Sequence, residues 1–331
     1  MLRKKLAFII VFLFVSAGVV SGFNINPDNE PKPLNIGNWL YVGGNGTGNY
    51  TTIQSAINVA SSDDNVFVYD DSSPYLENIV IFKSLNLIGE NKETTIIDGN
   101  NLDTVVSVTE SWVSISSFTI INGTGNFVEV GIDFQNNNSN ITISNCIITN
   151  NYDGIRCASQ RVYNISIFDC DIHYNARGIW MDGVKNIDIH HNNISENYEV
   201  GIHMDSSEGV MHNNTISSNG GGKFFDSGIF MQFCKDGLLI KNNDIFSNER
   251  YGIFLIKSSN NIITENNFVN NNKSAYFVYI CLFNKWCGNY WDRPRFLPKP
   301  VFGRIGFFYY KIFPWVYFDW YPAKELIEIG G

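Results

Sequence analysis

Asp182 and Asp205 lie 23 residues apart, and each follows a Gly-Ile pair at the same offset, in Gly178-Ile-Trp-Met-Asp182 and Gly201-Ile-His-Met-Asp205. Carboxylates held about 5 Å apart suit the nucleophile and acid of retaining glycoside cleavage, and the same pair could hold a calcium ion. Trp180, His203, Phe230 and Phe254 occupy one shared position, directly after the Ile of their own Gly-Ile pair. The three aromatic rings could stack on sugar faces and His203 could move protons. Arg156, at the same position, would suit a lyase, with Arg as base and calcium acidifying a uronate. Gln232 continues the Asp182/Asp205 column as a further polar contact for substrate.

Whether these side chains meet depends on the elements that carry them. Gly-Ile recurs at 131, 154, 178, 201, 228 and 252, at intervals of 23, 24, 23, 27 and 24. A second marker, an apolar residue followed three places later by Asn, recurs at Ile148/Asn151, Ile172/Asn175, Ile194/Asn197, Ile216/Asn219, Ile245/Asn248 and Phe268/Asn271. Between the markers apolar residues alternate, as in Ile141-x-Ile143 and Ile165-x-Ile167, the period of a strand with one buried face. Three short strands and their turns fill one period. Coiling the chain so that each strand pairs with its equivalent one turn later satisfies the backbone and stacks like on like. The reading is an all-β, right-handed parallel β-helix.

That coil predicts columns. Cys146, Cys170, Asn192, Asn214, Asn243 and Asn266 form one, a hydrogen-bonding Asn ladder that begins with two free core thiols. Met181, Met204 and Met231 form an inward column better explained by packing than by copper. His190 and His212 share an outward column followed by Lys241; two imidazoles beside a cation make a poor metal site, so a solvated surface is preferred and copper is disfavoured. The insertion Gly220 to Asp226 is expected to place a loop beside Asp205, walling one side of a groove.

The ends read differently. Residues 1–22 have the form of an export signal, with Arg3, Lys4 and Lys5 before an apolar run; an uncleaved anchor is the other reading. A leader over 23–48 precedes the β-helix, assigned to 49–275, whose start carries a short amphipathic lid from Thr52 to Ala60. Residues 276–331 form an aromatic cap, including Trp286, Trp291, Phe307 to Tyr310, Trp315 and Trp320, for which membrane-surface contact is a secondary reading. Without the three signal cations the chain has 20 basic and 32 acidic residues, which opposes binding to nucleic acid. Six Cys in an exported chain permit disulfides, with Cys281 and Cys287 the favoured pair. Nothing in the sequence specifies an oligomer.

The stretches Tyr50-Thr-Thr-Ile-Gln-Ser-Ala-Ile-Asn, Tyr75-Leu-Glu-Asn-Ile-Val-Ile, Lys83-Ser-Leu-Asn-Leu-Ile-Gly-Glu90 and Thr95-Ile-Ile-Asp-Gly99 resemble the opening of pectin-lyase-like β-helix proteins. The Gly-Ile and Asn repeats resemble NosD-like and carbohydrate-binding/sugar-hydrolysis (CASH) repeats. The tail, Asn284-Lys-Trp-Cys-Gly-Asn-Tyr-Trp-Asp292 and Phe318-Asp-Trp-Tyr-Pro-Ala323, resembles the end of exported archaeal NosD-like proteins. The resemblance implies a secreted or cell-surface β-helix and leaves activity open, since one fold hosts unrelated functions. The motifs of pectin methylesterases and polygalacturonases are absent from the sequence. The expectation is a module that binds carbohydrate or builds the envelope; the alternatives are a polysaccharide hydrolase or lyase, and an accessory copper-handling protein.

Overall fold

Repetition at a strand period forces neighbouring coils to share one hydrogen-bonding register, and the computed structural model has that architecture throughout. It describes residues 37–329 apart from 124–129, 136, 159–161, 223–225, 236 and 307–311. The chain divides into Met1–Asn35 and Ile36–Gly331, so the export-signal reading lies outside the described residues. In the second unit the repeating coils each contribute one strand to each of three sheets, which with the first strand and the closing hairpin number eleven, eleven and ten strands. Sheet A runs from Trp39–Val42 to Lys285–Cys287, sheet B from Tyr75–Leu76 to Tyr290–Trp291, and sheet C from Ile79–Ile81 to a closing hairpin. Pairing is parallel between coils, and the fold is a right-handed β-helix.

The core is a stack of aliphatic columns. Ile132, Ile155, Ile179, Ile202, Ile229 and Ile253 are register partners in sheet C, and all are buried. Beside them stand Cys157, Met181, Met204, Met231 and Leu255. Full burial of each such side chain stabilises by about 1.5–3 kcal/mol relative to leaving it exposed, so the stack is the main stabilising feature.

Two buried Asn ladders hold the turns. Asn175 Oδ1 accepts from the Asn151 N–H (3.0 Å), Asn197 Oδ1 from Asn175 (3.1 Å) and Asn219 Oδ1 from Asn197 (3.1 Å), while each Nδ2 donates to a carbonyl one coil earlier. The second ladder runs Asn192, Asn214, Asn243, Asn266 and Asn289. Cys146 and Cys170 head it as free buried thiols, as the column reading requires; the Cys170 Sγ lies 3.2 Å from the Phe168 carbonyl, where Asn192 Nδ2 meets His190. The Gly column exists because of the first ladder. A Cβ on Gly178 would meet the Gly201 carbonyl at 2.5 Å and Asn197 Nδ2 at 3.0 Å.

Both ends are closed. The helix Ile53–Val59 turns Ile53, Ala56 and Ile57 onto the first coil, and Glu77 accepts the orphan N–H groups of Ile53 (2.8 Å) and Gln54 (3.0 Å). At the other end the repeat strands continue to Tyr290–Trp291, past residue 275, where the repeat was expected to stop. Trp286 continues the column of Ile263, and Trp291 continues that of Phe268. An antiparallel hairpin, Lys299–Ile305 with Phe313–Asp319, then covers the last coil. Its buried Asp319 accepts from the Asn289 N–H (3.0 Å) and Trp291 Nε1 (3.0 Å), ending the second Asn ladder with a carboxylate. Phe307 to Tyr310 lie outside the described residues. The favoured disulfide is not formed: Cys281 and Cys287 are free, because Cys281 points into the core toward the Leu255 carbonyl.

Candidate functional site: the outer face of sheet C

Three outward columns cross sheet C. The first, at the strand entry, reads Asp153, Arg177, Val200, Ser227, Tyr251 and Lys273. The second reads Asp133, Arg156, Trp180, His203, Phe230, Phe254 and Tyr276, and the third Asp182, Asp205, Gln232, Ile256 and Val278. Asp182 and Asp205 are therefore partners on neighbouring strands, about 4.8 Å apart along the coil axis.

The second column is not an open aromatic face. Val200, Phe230, Tyr251 and Phe254 form a second buried cluster, with Ile256, Tyr276 and Val278 packed on it, and Phe230 is 0% exposed. Tyr251 stacks on Phe254 at 4.8 Å and on Tyr276 at 5.5 Å. Phe230 and Phe254 thus cannot meet a sugar ring. His203 is sealed between Trp180 and Phe230, and burial, reinforced by Arg177, pushes it down to about 3. It is a weak base with little access to a ligand on the outer face. The Arg177 guanidinium lies 4.1 Å from the Trp180 ring, and His203 stacks on that ring at 5.9 Å.

Arg156 is also spoken for. Its Nε and Nη2 donate to the two Asp133 carboxylate oxygens at 2.9 and 3.1 Å. Burial opposes its charge, but the Asp133 hydrogen bonds and charge prevail and hold it above the ordinary arginine value, so it is no base. Arg177 makes the equivalent two-pronged pair with Asp153 one coil later. The described residues of the Gly220–Asp226 insertion lie at the strand entry and not beside Asp205, while residues 223–225 lie outside the described residues. Gly222 donates to the Tyr198 carbonyl and Gly220 approaches Glu249, both at the strand entry, because the insertion precedes Ser227–Gln232 and Asp205 ends its own strand.

What reaches solvent is the third column and the turn after it. Asp182, Asp205 and Gln232 are half-buried. Burial raises both carboxyls above the ordinary aspartate value; for Asp205 the Asp182 charge adds to this and the Ser206 hydroxyl, donating at 2.8 Å, opposes it. Next to them lies a depression of about 300 Å³ lined by Lys185, Ser206, Ser207, Glu208, Phe233 and Lys235. Ser206 and Phe233 occupy equivalent turn positions on successive coils, donating to Gln232 and Ile256. Lys257 lies over the half-buried Phe233 ring (5.1 Å), and Phe233 and Ser206 both line the depression. Sequence reasoning missed this turn, although the break from Ser to Phe in one column was readable.

The outer face of sheet A carries His190 and His212, with His191 in the turn that follows. His190 stacks on Phe168 and His212 at 5.0 Å each, and His190 Nδ1 lies 2.8 Å from His191 Nδ1. His191 Nε2 accepts from Asn213, and His212 Nε2 lies 3.1 Å from Asp188 Oδ1. These nitrogens are engaged with one another and with neighbours. Among the described residues no three His, Cys, Asp or Glu side chains converge on one point.

A family model described as "Periplasmic copper-binding protein (NosD)" matches residues 57–227, and one for the right-handed β-helix region matches 204–286. An A-module of the Azotobacter vinelandii mannuronan C-5 epimerase has a TM-score of 0.56 at 18% identity, covering 73% of each chain. An alginate lyase from Paenibacillus sp. has a TM-score of 0.50 at 11% identity, covering 70% of this chain and 92% of that one. A probable pectinesterase/pectinesterase inhibitor of Arabidopsis thaliana is 32% identical over 117 residues, 33% of this chain; the chain spans about a fifth of such relatives' length. The structural likenesses show the fold. Copper, the metal of the family description, does not fit the described residues: the Met column is buried in the core, and the close pair His190 and His191 is joined by no third His, Cys, Asp or Glu placed to hold a metal. Since the NosD match takes in just over half of the residues and the coil has the expected register, this chain belongs to the NosD family of β-helix proteins.

Proposed function

We propose that this protein is an exported β-helix module that binds carbohydrate along the strand ends of sheet C. The observation that carries the reading is the solvent-reaching column Asp182, Asp205 and Gln232 beside the depression around Ser206, Phe233 and Lys235. Carboxylates accept hydrogen bonds from sugar hydroxyls, an amide both donates and accepts, and the Phe233 ring in the lining of the depression suits the apolar face of a pyranose. Lys185 is paired with Glu208 at 2.9 Å, which leaves Lys235 as the cation in the lining that can meet an acidic group of a polymer. The family description and the form of residues 1–22 support export. Affinity electrophoresis against neutral and uronate polysaccharides tests the reading. Retardation by at least one polymer is expected, and Asp205→Asn or Lys235→Ala should each weaken it about tenfold. Migration unchanged in every polymer would refute it.

A second reading, hydrolysis or lyase chemistry, is favoured only by the raised carboxyls of Asp182 and Asp205 on adjacent coils. It calls for new reducing ends or unsaturated products, with or without calcium, that Asp205→Asn abolishes. Arg156 and His203 have no part in it.

A further inference from the structure

The closing hairpin differs in chemistry from the rest of the molecule. In a chain of formal net charge −9, the stretch from Lys285 to Lys324 holds seven Lys or Arg and two acids. One of those acids, Asp319, is buried and spent on internal N–H groups. Around these cations stand large apolar side chains open to solvent: Phe296 is 82% exposed, Phe302 63%, Trp320 61% and Tyr321 78%.

The register places part of this set on one face. In Lys299–Ile305 the alternation turns Val301, Gly303 and Ile305 inward, and Phe302 and Arg304 outward. Across the hairpin Pro300 faces Phe318, Phe302 faces Val316 and Arg304 faces Pro314. Phe318 in turn packs on Trp320 at 5.1 Å. The outer face is thus apolar and aromatic with Arg304 in it, and exposed Arg293 lies in the same cap. Nearby, burial and the Arg295 guanidinium push Lys299 down, as expected where cations gather without enough anions.

Exposed Trp, Tyr and Phe interleaved with Lys and Arg match a membrane–water interface, where amphipathic rings sit among headgroups and cations meet anionic lipid. A protein partner with an acidic groove would satisfy the cations, but exposed rings spread from Phe302 on one strand to Trp315 on the other and to Trp320 and Tyr321 beyond suit a broad lipid interface better than one groove. No helix among the described residues is long and apolar enough to cross a bilayer, so contact would be peripheral. We propose that the paired strands Lys299–Ile305 and Phe313–Asp319, with the flanking residues Arg293 to Phe296 and Trp320 to Tyr321, dock this protein on an anionic lipid surface, standing the β-helix on its C-terminal end.

The test is co-sedimentation of the full chain with phosphatidylcholine vesicles, with and without phosphatidylglycerol. Wild type and variants carry the same N-terminus, so a difference between them belongs to the hairpin. Binding should rise with phosphatidylglycerol and fall with salt. Arg293→Glu with Arg304→Glu should lower the partition coefficient about tenfold or more, as should Phe302→Ser with Trp320→Ser. All four residues are exposed, and unchanged far-UV circular dichroism would confirm folding. Tryptophan fluorescence should shift to the blue on binding wild type and less so in Trp320→Ser. Equal partitioning of wild type and both variants, or no dependence on anionic lipid, would overturn the proposal. So would a lipid-independent dimer in light scattering that Phe302→Ser with Trp320→Ser dissolves, since that outcome assigns the face to a second copy.

Discussion

Arg177 reaches back one coil to Asp153, its Nη2 donating to Oδ2 at 2.9 Å, while its guanidinium lies 4.1 Å from the Trp180 ring. The pair sits at the edge of the aromatic cluster, with Asp153 fully buried. Removing one partner leaves a charge without compensation, so Asp153→Ala should cost about 3–5 kcal/mol in urea unfolding. A loss below about 1 kcal/mol would show that water replaces the carboxylate.

The same carboxyl carries a pH signature. Burial outweighs Arg177 and pushes Asp153 up to about 6, above its ordinary value near 4. The folded state therefore binds this proton more tightly than the unfolded chain. Its contribution is full below about pH 4 and is lost as pH rises through about 6. Wild type should lose on the order of 2 kcal/mol relative to Asp153→Asn between pH 4 and pH 7. Parallel stability curves for the two proteins would contradict the assignment.

Asn197 tests the first ladder. Its Oδ1 accepts from the Asn175 N–H, and its Nδ2 donates to the Ile172 carbonyl (3.1 Å) and to Asn219 (2.9 Å), all buried. Asn197→Ala strands several of these groups and should cost about 2–4 kcal/mol, at about 1–3 kcal/mol for a buried group left unsatisfied. Cys170→Asn should do the opposite of harm: its Nδ2 would take the place of Sγ near the Ile143 and Phe168 carbonyls, and its Oδ1 would face the coil before it. Thermal melting should show no loss for that variant.

Gly178→Ala probes the fit between the Gly column and the ladder. The new methyl would need the Gly201 carbonyl, at 2.5 Å, to retreat. Backbone cannot give way there without moving the next coil, so a loss of about 1–3 kcal/mol is expected from overpacking. A neutral result would mean that the coils slide past one another more easily than their hydrogen bonds suggest.

All six cysteines are free, and five are buried. Burial pushes Cys234 up to about 12 and Cys281 up to about 11, which keeps them in the unreactive thiol form. Titration with an aromatic disulfide reagent should find only Cys287 in the native protein and six thiols in denaturant. Four thiols in denaturant would reveal a disulfide.

The coil was legible because its period is written twice, in Gly-Ile and in Asn, and the two markers jointly fix which residues stack. That is why Asp182 and Asp205 could be paired before any coordinates. Periodicity assigns a side of the sheet but not what covers that side. Phe230 and Phe254 do point outward, yet Tyr251 and Val200, from the strand entry across the Gly position, close over them. The ion pairs were within reach: Asp133 with Arg156 is an acid above a base in one column, as is Asp153 with Arg177. The depression at Ser206 and Phe233 was harder to see, because it arises from a size mismatch between turn residues.

Asp319 supplies to Asn289 what each asparagine supplies to the one before it. The terminus is therefore a fitting that does not care how many windings precede it. A gene could gain or lose whole windings, for instance the 22 residues from Asn175 to Asn197, without redesigning either closure. Evolution would then set the reach of the molecule by copying, while its two ends stay the same.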